Sequence, residues 1–135
     1  MRIFLAGASG VIGRRVIPLL VDAGHDVVGM TRSGDNAEHL RSLGASPVVC
    51  DVFDARELQR AIIACDADLV MHQLTDLPDD PTRLAEYAAS NARIRREGTR
   101  NLLAAYEAAG AQRFIAQSVA WELPGDSGAA VRVDG

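Results

Sequence analysis

Residues 5–13 read Leu5-Ala6-Gly7-Ala8-Ser9-Gly10-Val11-Ile12-Gly13, with three glycines at a strict Gly-x-x-Gly-x-x-Gly spacing between a short apolar run and an amphipathic pattern. Each glycine has a physical task in such a turn. Gly7 supplies the bend that ends a strand, and Gly10 removes the side chain that would stand between backbone and a bound phosphate. Gly13 lets the following helix lie close on the sheet. The helix then offers unpaired N–H groups and the positive end of its dipole to an anion. Ala8, Ser9, Val11 and Ile12 complete the loop, so residues 7–13 form a candidate cradle for a pyrophosphate, built from backbone more than from side chains.

Outward from this turn, apolar periodicity alternates between short runs and helical spacing. Strands are expected at about residues 2–6, 26–31, 47–50, 67–73 and 113–117. Helices are expected at about 11–23, 36–43, 55–64 and 82–109, with Asp54 as an N-cap and Gly24, Gly44 and Gly110 as stops. The first helix is expected to turn Val11, Ile12, Val16, Leu19 and Leu20 inward. The long helix carries Leu84, Tyr87, Ala88, Ile94, Leu102, Ala105 and Tyr106 on a stripe that must mostly pack on the sheet. Short buried strands alternating with helices predict an α/β fold, a doubly wound parallel sheet of Rossmann type with strand order 3-2-1-4-5. Ligands bind such sheets at the carboxyl ends of the strands, near the switch point between strands one and four.

Composition sets the limits. The 135 residues, 48% hydrophobic, suit one domain with a single core. A formal net charge of −4 and the lack of a basic stripe interleaved with aromatics argue against nucleic acid as a partner. No apolar stretch approaches the roughly 20 residues of a membrane span. Gly10, Gly13, Arg14 and Arg15 interrupt the first apolar run too early for a signal peptide, so a soluble cytoplasmic protein is expected. Cys50 and Cys65 stand at no metal or redox spacing and read as buried thiols. Asp76, Asp79 and Asp80 read as a solvated loop rather than a metal site. All 14 basic residues are arginines, and there is no lysine.

The residues just past each strand carry the chemistry. After the second strand stands Thr31-Arg32-Ser33, with no acid to accept from a ribose 2′-hydroxyl as an NAD site requires. A guanidinium flanked by hydroxyls suits a 2′-phosphate, to which Arg14 and Arg15 are further candidates, so NADP is favoured over NAD. After the third strand, Asp51 and Val52 are placed to meet an adenine edge, or Asp51 serves as a turn acceptor.

With these residues in place the chain resembles the N-terminal part of an extended or atypical short-chain dehydrogenase/reductase, the group of nucleotide-sugar epimerases, dehydratases and related reductases. The resemblance rests on Gly7 to Gly13, Asp51, His72-Gln73-Leu74-Thr75, Asn91, Gly98-Thr99-Arg100-Asn101 and Arg113 to Ser118. It implies that His72, Gln73 and Leu74 run past the cofactor ribose and nicotinamide. It further implies that Asn91 supports the active-site geometry and that Ser118 lies at the mouth of the catalytic pocket. His72 reads equally as a histidine bonded to backbone at a strand end, and Asn91 as a loop-bonding residue.

The resemblance also implies a catalytic tyrosine with a lysine four residues later, and this chain has no lysine. Tyr87 and Tyr106 fall in the expected long helix, so no catalytic residue is assigned. The expected organisation is an NAD(P)-binding domain at 1–121 and a flexible tail at 122–135, without the catalytic and substrate-binding parts of the full fold. A sheet edge bearing Phe114 and Ile115 would then favour homo-oligomers. Three functions remain open: the cofactor-binding portion of an oxidoreductase or epimerase, a non-catalytic redox-sensing regulator, and a truncated dimerising remnant.

Overall fold

The computed structural model describes residues 1–75 and 80–117. Five strands form one parallel sheet: β1 (Arg2–Ala6), β2 (Asp26–Thr31), β3 (Ser46–Val49), β4 (Leu69–His72) and β5 (Arg113–Ala116). Their order is β3-β2-β1-β4-β5, as the alternating pattern requires. The register sets Ala6 beside Met30 on one side and His72 on the other, so the carboxyl ends of the three central strands are level.

β1 shows why the sheet is covered on both faces. Its side chains alternate, Phe4 entering one core with Val70, Leu58, Ile62 and Leu102, and Leu5 entering the other with Ile17, Val27 and Leu40. The first core is roofed by α3 (Ala55–Cys65) and α5 (Thr99–Ala109), the second by α1 (Val11–Asp22) and α2 (Ala37–Ser42), whose N-terminus follows a 3-10 turn at Gly34–Asn36. The Asp54 side chain caps α3 by accepting the Glu57 N–H at 3.1 Å. Gly110 ends α5 with φ of 68°, the left-handed stop a glycine favours.

Two expectations about helix faces need correction. In α1, Gly13 and Ile17 are buried with Leu20 and Val21 packed beside them, while Val11, Ile12 and Leu19 are exposed. At about 100° per residue, a face centred on Ile17 includes positions 13, 20 and 21 and turns 12 and 19 away. The long helical segment is continuous from Pro81 to Ala109, but it is not one α-helix. A 3-10 stretch (Pro81–Tyr87), α4 (Ala88–Arg93) and a π-helical turn (Ile94–Gly98) precede α5. Residues 81–93 include no buried side chain, so Leu84 and Ala88 are exposed, and only Ile94, Leu102 and Ala105 of the expected stripe are buried. Ser118, Asp76, Asp79 and the expected tail at 122–135 lie outside the described residues.

Candidate functional site

The glycine loop divides its three glycines between two tasks. A Cβ on Gly7 (φ 86°) would stand 2.6 Å from the Gln73 backbone, and one on Gly13 would stand 2.3 Å from the Gly7 carbonyl oxygen. Both positions are thus closed by the protein itself. Gly13 lets the helix close on the loop rather than on the sheet. At Gly10 an added Cβ would meet only the Gly7 oxygen, at 3.4 Å, so the space above it is open. The loop is braced by Ala8 N–H donating to Met30 and Gly10 N–H donating to Gly7. No side chain caps α1 and no acid lies in its first turn, so the N–H groups that open the helix have no side-chain acceptor.

A groove of about 150 Å³ runs from this loop along the strand ends, walled by Gly7, Ser9, Gly10, Thr31, Arg32 and Gln73 among others. Its rim at β2 is organised by the buried Thr31 hydroxyl, which meets Ser9 Oγ at 3.2 Å and accepts from Asn36 Nδ2 and the Ser33 N–H, both at 3.3 Å. Arg32 projects from this fixed base, exposed, with no hydrogen bond or ion pair among the described residues. A smaller hollow joins Arg32 to Met30, Val52, Phe53 and Ile94.

Past β3, the Asp51 carboxylate accepts the Phe53 N–H at 2.9 Å and so closes a turn. Val52 is buried, and its carbonyl accepts from Asn101 Nδ2 at 2.9 Å, tying this turn to α5. Phe53 lies under the Arg93 guanidinium, 3.9 Å from the ring centroid.

At the end of β4, His72 is buried, with Nδ1 accepting the Leu74 N–H at 3.2 Å and Nε2 3.0 Å from Thr99 Oγ1. Burial, then the nearby Arg95 charge, hold its pKa below the usual imidazole value. Gln73 is half-buried, and its Oε1 is shut from solvent with no hydrogen-bond partner among the described residues. Leu74 and Thr75 line the groove and also a second cavity of about 170 Å³, bounded by His72, Arg95, Thr99, Ala116 and Gln117.

The structure therefore brings Gly7, Ser9, Gly10, Arg32, Gln73 and Leu74 to one groove, with Val52 and His72 in the adjoining hollows. Ala8 is buried beneath the loop, and Asn91 lies half-buried on α4 without lining any of these three spaces. Sequence reading did not single out Phe53, Arg95 or Thr99 as site residues. Thr99 and Asn101 stand in the Gly98–Asn101 motif, which was the available signal for that wall.

A parallel sheet in this order, with a glycine loop opening the helix after β1 and a groove along the strand ends, defines a dinucleotide-binding α/β domain. The comparisons agree. A family model described as NAD(P)H-binding matches residues 7–129. A 3-diazoavenalumate denitrifying reductase from a Streptomyces species is 40% identical over 124 residues, 90% of this chain and 38% of that protein. A 3-beta-hydroxysteroid dehydrogenase from Mycolicibacterium neoaurum is 30% identical over 118 residues, 84% of this chain and 31% of that protein. The fold matches a UDP-glucose 4-epimerase from Stenotrophomonas maltophila with bound NAD, with a TM-score of 0.72 at 21% identity over 86% of this chain and 36% of that one. A UDP-glucose 4-epimerase from Bifidobacterium longum gives 0.74 at 19% identity, covering 89% and 37%.

The chain belongs to the NAD(P)H-binding family and is an NAD(P)-binding domain, with structural neighbours among the NAD-dependent epimerases/dehydratases. It spans 38% and 31% of the lengths of the reductase and dehydrogenase relatives, about a third. Among the described residues no helix is long and apolar enough to cross a membrane.

Proposed function

We propose that the chain binds NADP(H) in preference to NAD(H) and serves as the cofactor-binding domain, at about 1–121, of an oxidoreductase. The observation that carries the preference is Arg32, an unpaired guanidinium among the described residues, set at the carboxyl end of β2 where no acid stands. Such a group donates to phosphate oxygens and has no acceptor for the ribose hydroxyl protons that a carboxylate would take.

The remaining residues fit the same ligand. The open space over Gly10 and the N–H groups that open α1 suit the pyrophosphate. The orphaned Gln73 Oε1 is an acceptor for a ribose hydroxyl, and Val52 and Phe53 offer an apolar seat for adenine beside Asp51. Leu74 and His72 flank the nicotinamide end, with Asn91 supporting the helix above it. A nicotinamide cofactor bound there supplies or accepts hydride. His72, tied by both nitrogens, orients the wall and does not move a proton. The reductase and dehydrogenase relatives favour an oxidoreductase over a regulator. Exposed Leu19, Ile63, Leu103 and Ile115 support a homo-oligomer.

Calorimetric titration of the chain with NADPH and NADH tests this reading. Tighter NADPH binding is expected, and Arg32→Ala should weaken NADPH by about 1–3 kcal/mol while leaving NADH nearly unchanged. Equal loss for both cofactors would overturn the assignment of Arg32 to the 2′-phosphate.

A further inference from the structure

The cavity beside His72 is lined by a second uncompensated cation, apart from Arg32 in the groove. Residues 93–100 carry four arginines against one glutamate in a protein of net charge −4. That glutamate, Glu97, is engaged by Arg93 Nε at 3.2 Å. Arg95 is the guanidinium of this group that lines the cavity, and among the described residues it has no hydrogen bond or ion pair. It sits on the π-helical turn Ile94–Gly98, a local rewinding of the kind that recurs where a helix wall is shaped for a ligand.

Among the described residues, the other walls do not neutralise it. Thr75, Thr99 and Gln117 are uncharged, Leu74 and Ala116 are apolar, and His72 is held in its neutral form by two hydrogen bonds. The cavity shares Leu74 and Thr75 with the dinucleotide groove, so an occupant here abuts whatever lies in the groove.

We propose that this cavity is a substrate subsite for an oxyanion, with Arg95 as the specificity-determining residue that bonds a carboxylate or phosphate of a small substrate. The proposal rests on the groove being a cofactor site, because it is that neighbour which makes an adjoining cavity a substrate pocket. A planar guanidinium takes either oxyanion through paired N–H donors, whereas a neutral isostere loses those charge-assisted bonds.

The test titrates the chain, with and without NADPH, against benzoate, phenyl phosphate and the neutral benzamide, following amide shifts of Thr99 and Gln117 by NMR. One of the two anions should bind at least about tenfold more tightly than benzamide, and which one does so identifies the oxyanion. Arg95→Gln should reduce that preference to about twofold or less. Arg96→Gln, an exposed neighbour that does not line the cavity, should keep it. No preference in the wild-type chain, a preference that survives Arg95→Gln, or equal loss in Arg96→Gln would overturn the proposal. NADPH binding without anion preference would sink this inference alone. Anion preference at Thr99 and Gln117 without NADPH binding would sink the cofactor reading, and with it the role of the cavity as a substrate subsite, while leaving Arg95 as an anion-binding residue.

Discussion

His72 Nε2 and Thr99 Oγ1 lie 3.0 Å apart, joining the end of β4 to the first residue of α5 across 27 positions of sequence. The Leu74 N–H occupies Nδ1 at 3.2 Å, so the ring proton resides on Nε2 and donates to Thr99. A second proton would have to enter at Nδ1, against an N–H already pointing there.

The His72 pKa is accordingly expected below 6.5, lowered first by burial and then by Arg95. Between the folded value and 6.5 the unfolded chain binds more protons, so stability rises with pH through that window and is flat above it. NMR titration of the ring, with urea melts at pH 5 and 7.5, checks this. His72→Asn should flatten the difference between the two melts, and a ring that titrates at or above 6.5 would contradict the geometry.

Gly10 and Gly13 should separate stability from binding. Gly13→Ala places a methyl 2.3 Å from the Gly7 oxygen and should cost about 1–3 kcal/mol of folding stability. Gly10→Ala meets the same oxygen at 3.4 Å and should barely move the melting temperature, yet weaken NADPH binding about tenfold or more by filling the open space. Thermal melts beside a cofactor titration distinguish them. Equal effects on both properties from both substitutions would show that the glycines share one role.

Gln73 keeps a buried acceptor unsatisfied, an arrangement that costs about 1–3 kcal/mol. Gln73→Met should therefore raise the melting temperature of the unliganded chain while lowering its NADPH affinity. A lower melting temperature with unchanged affinity would show that the amide serves the fold and not the ligand.

Cys50 and Cys65 should be inert in the native protein. Burial, followed by the Glu57, Asp54 and Asp51 charges, pushes the Cys50 thiol up to about 11. Burial also raises Cys65 to about 11, with Arg2 acting in the opposite direction. Native protein at pH 8 is expected to react with an aromatic disulfide reagent far more slowly than protein in urea, because the thiolate is the attacking form. Rapid native labelling at either site would contradict this.

The strand order and the glycine loop were readable because short buried runs and turn glycines are local signals. The face of α1 was not: apolar residues at 11, 12, 16, 17, 19, 20 and 21 surround the helix, and only packing selects Ile17 as its centre. The π turn was hidden because apolar spacing does not announce an extra residue in a turn. The placement of Arg32, Gln73 and His72 at the strand ends was legible because each directly follows or closes a short apolar run. Phe53 and Arg95 were missed because their neighbours come from distant segments, Arg93 across the turn after β3 and His72 across the start of α5.

Thr99 and Asn101 stand two residues apart on α5, yet Thr99 grips His72 at the end of β4 while Asn101 grips the Val52 carbonyl in the turn after β3. One turn of helix thus acts as a caliper whose two jaws hold the end of β4 and the turn after β3 in fixed relation. The jaws share a rigid arm, so a tilt of α5 widens one end only by disturbing the other. The spacing of the two rims is written into the pitch of this helix rather than into either rim.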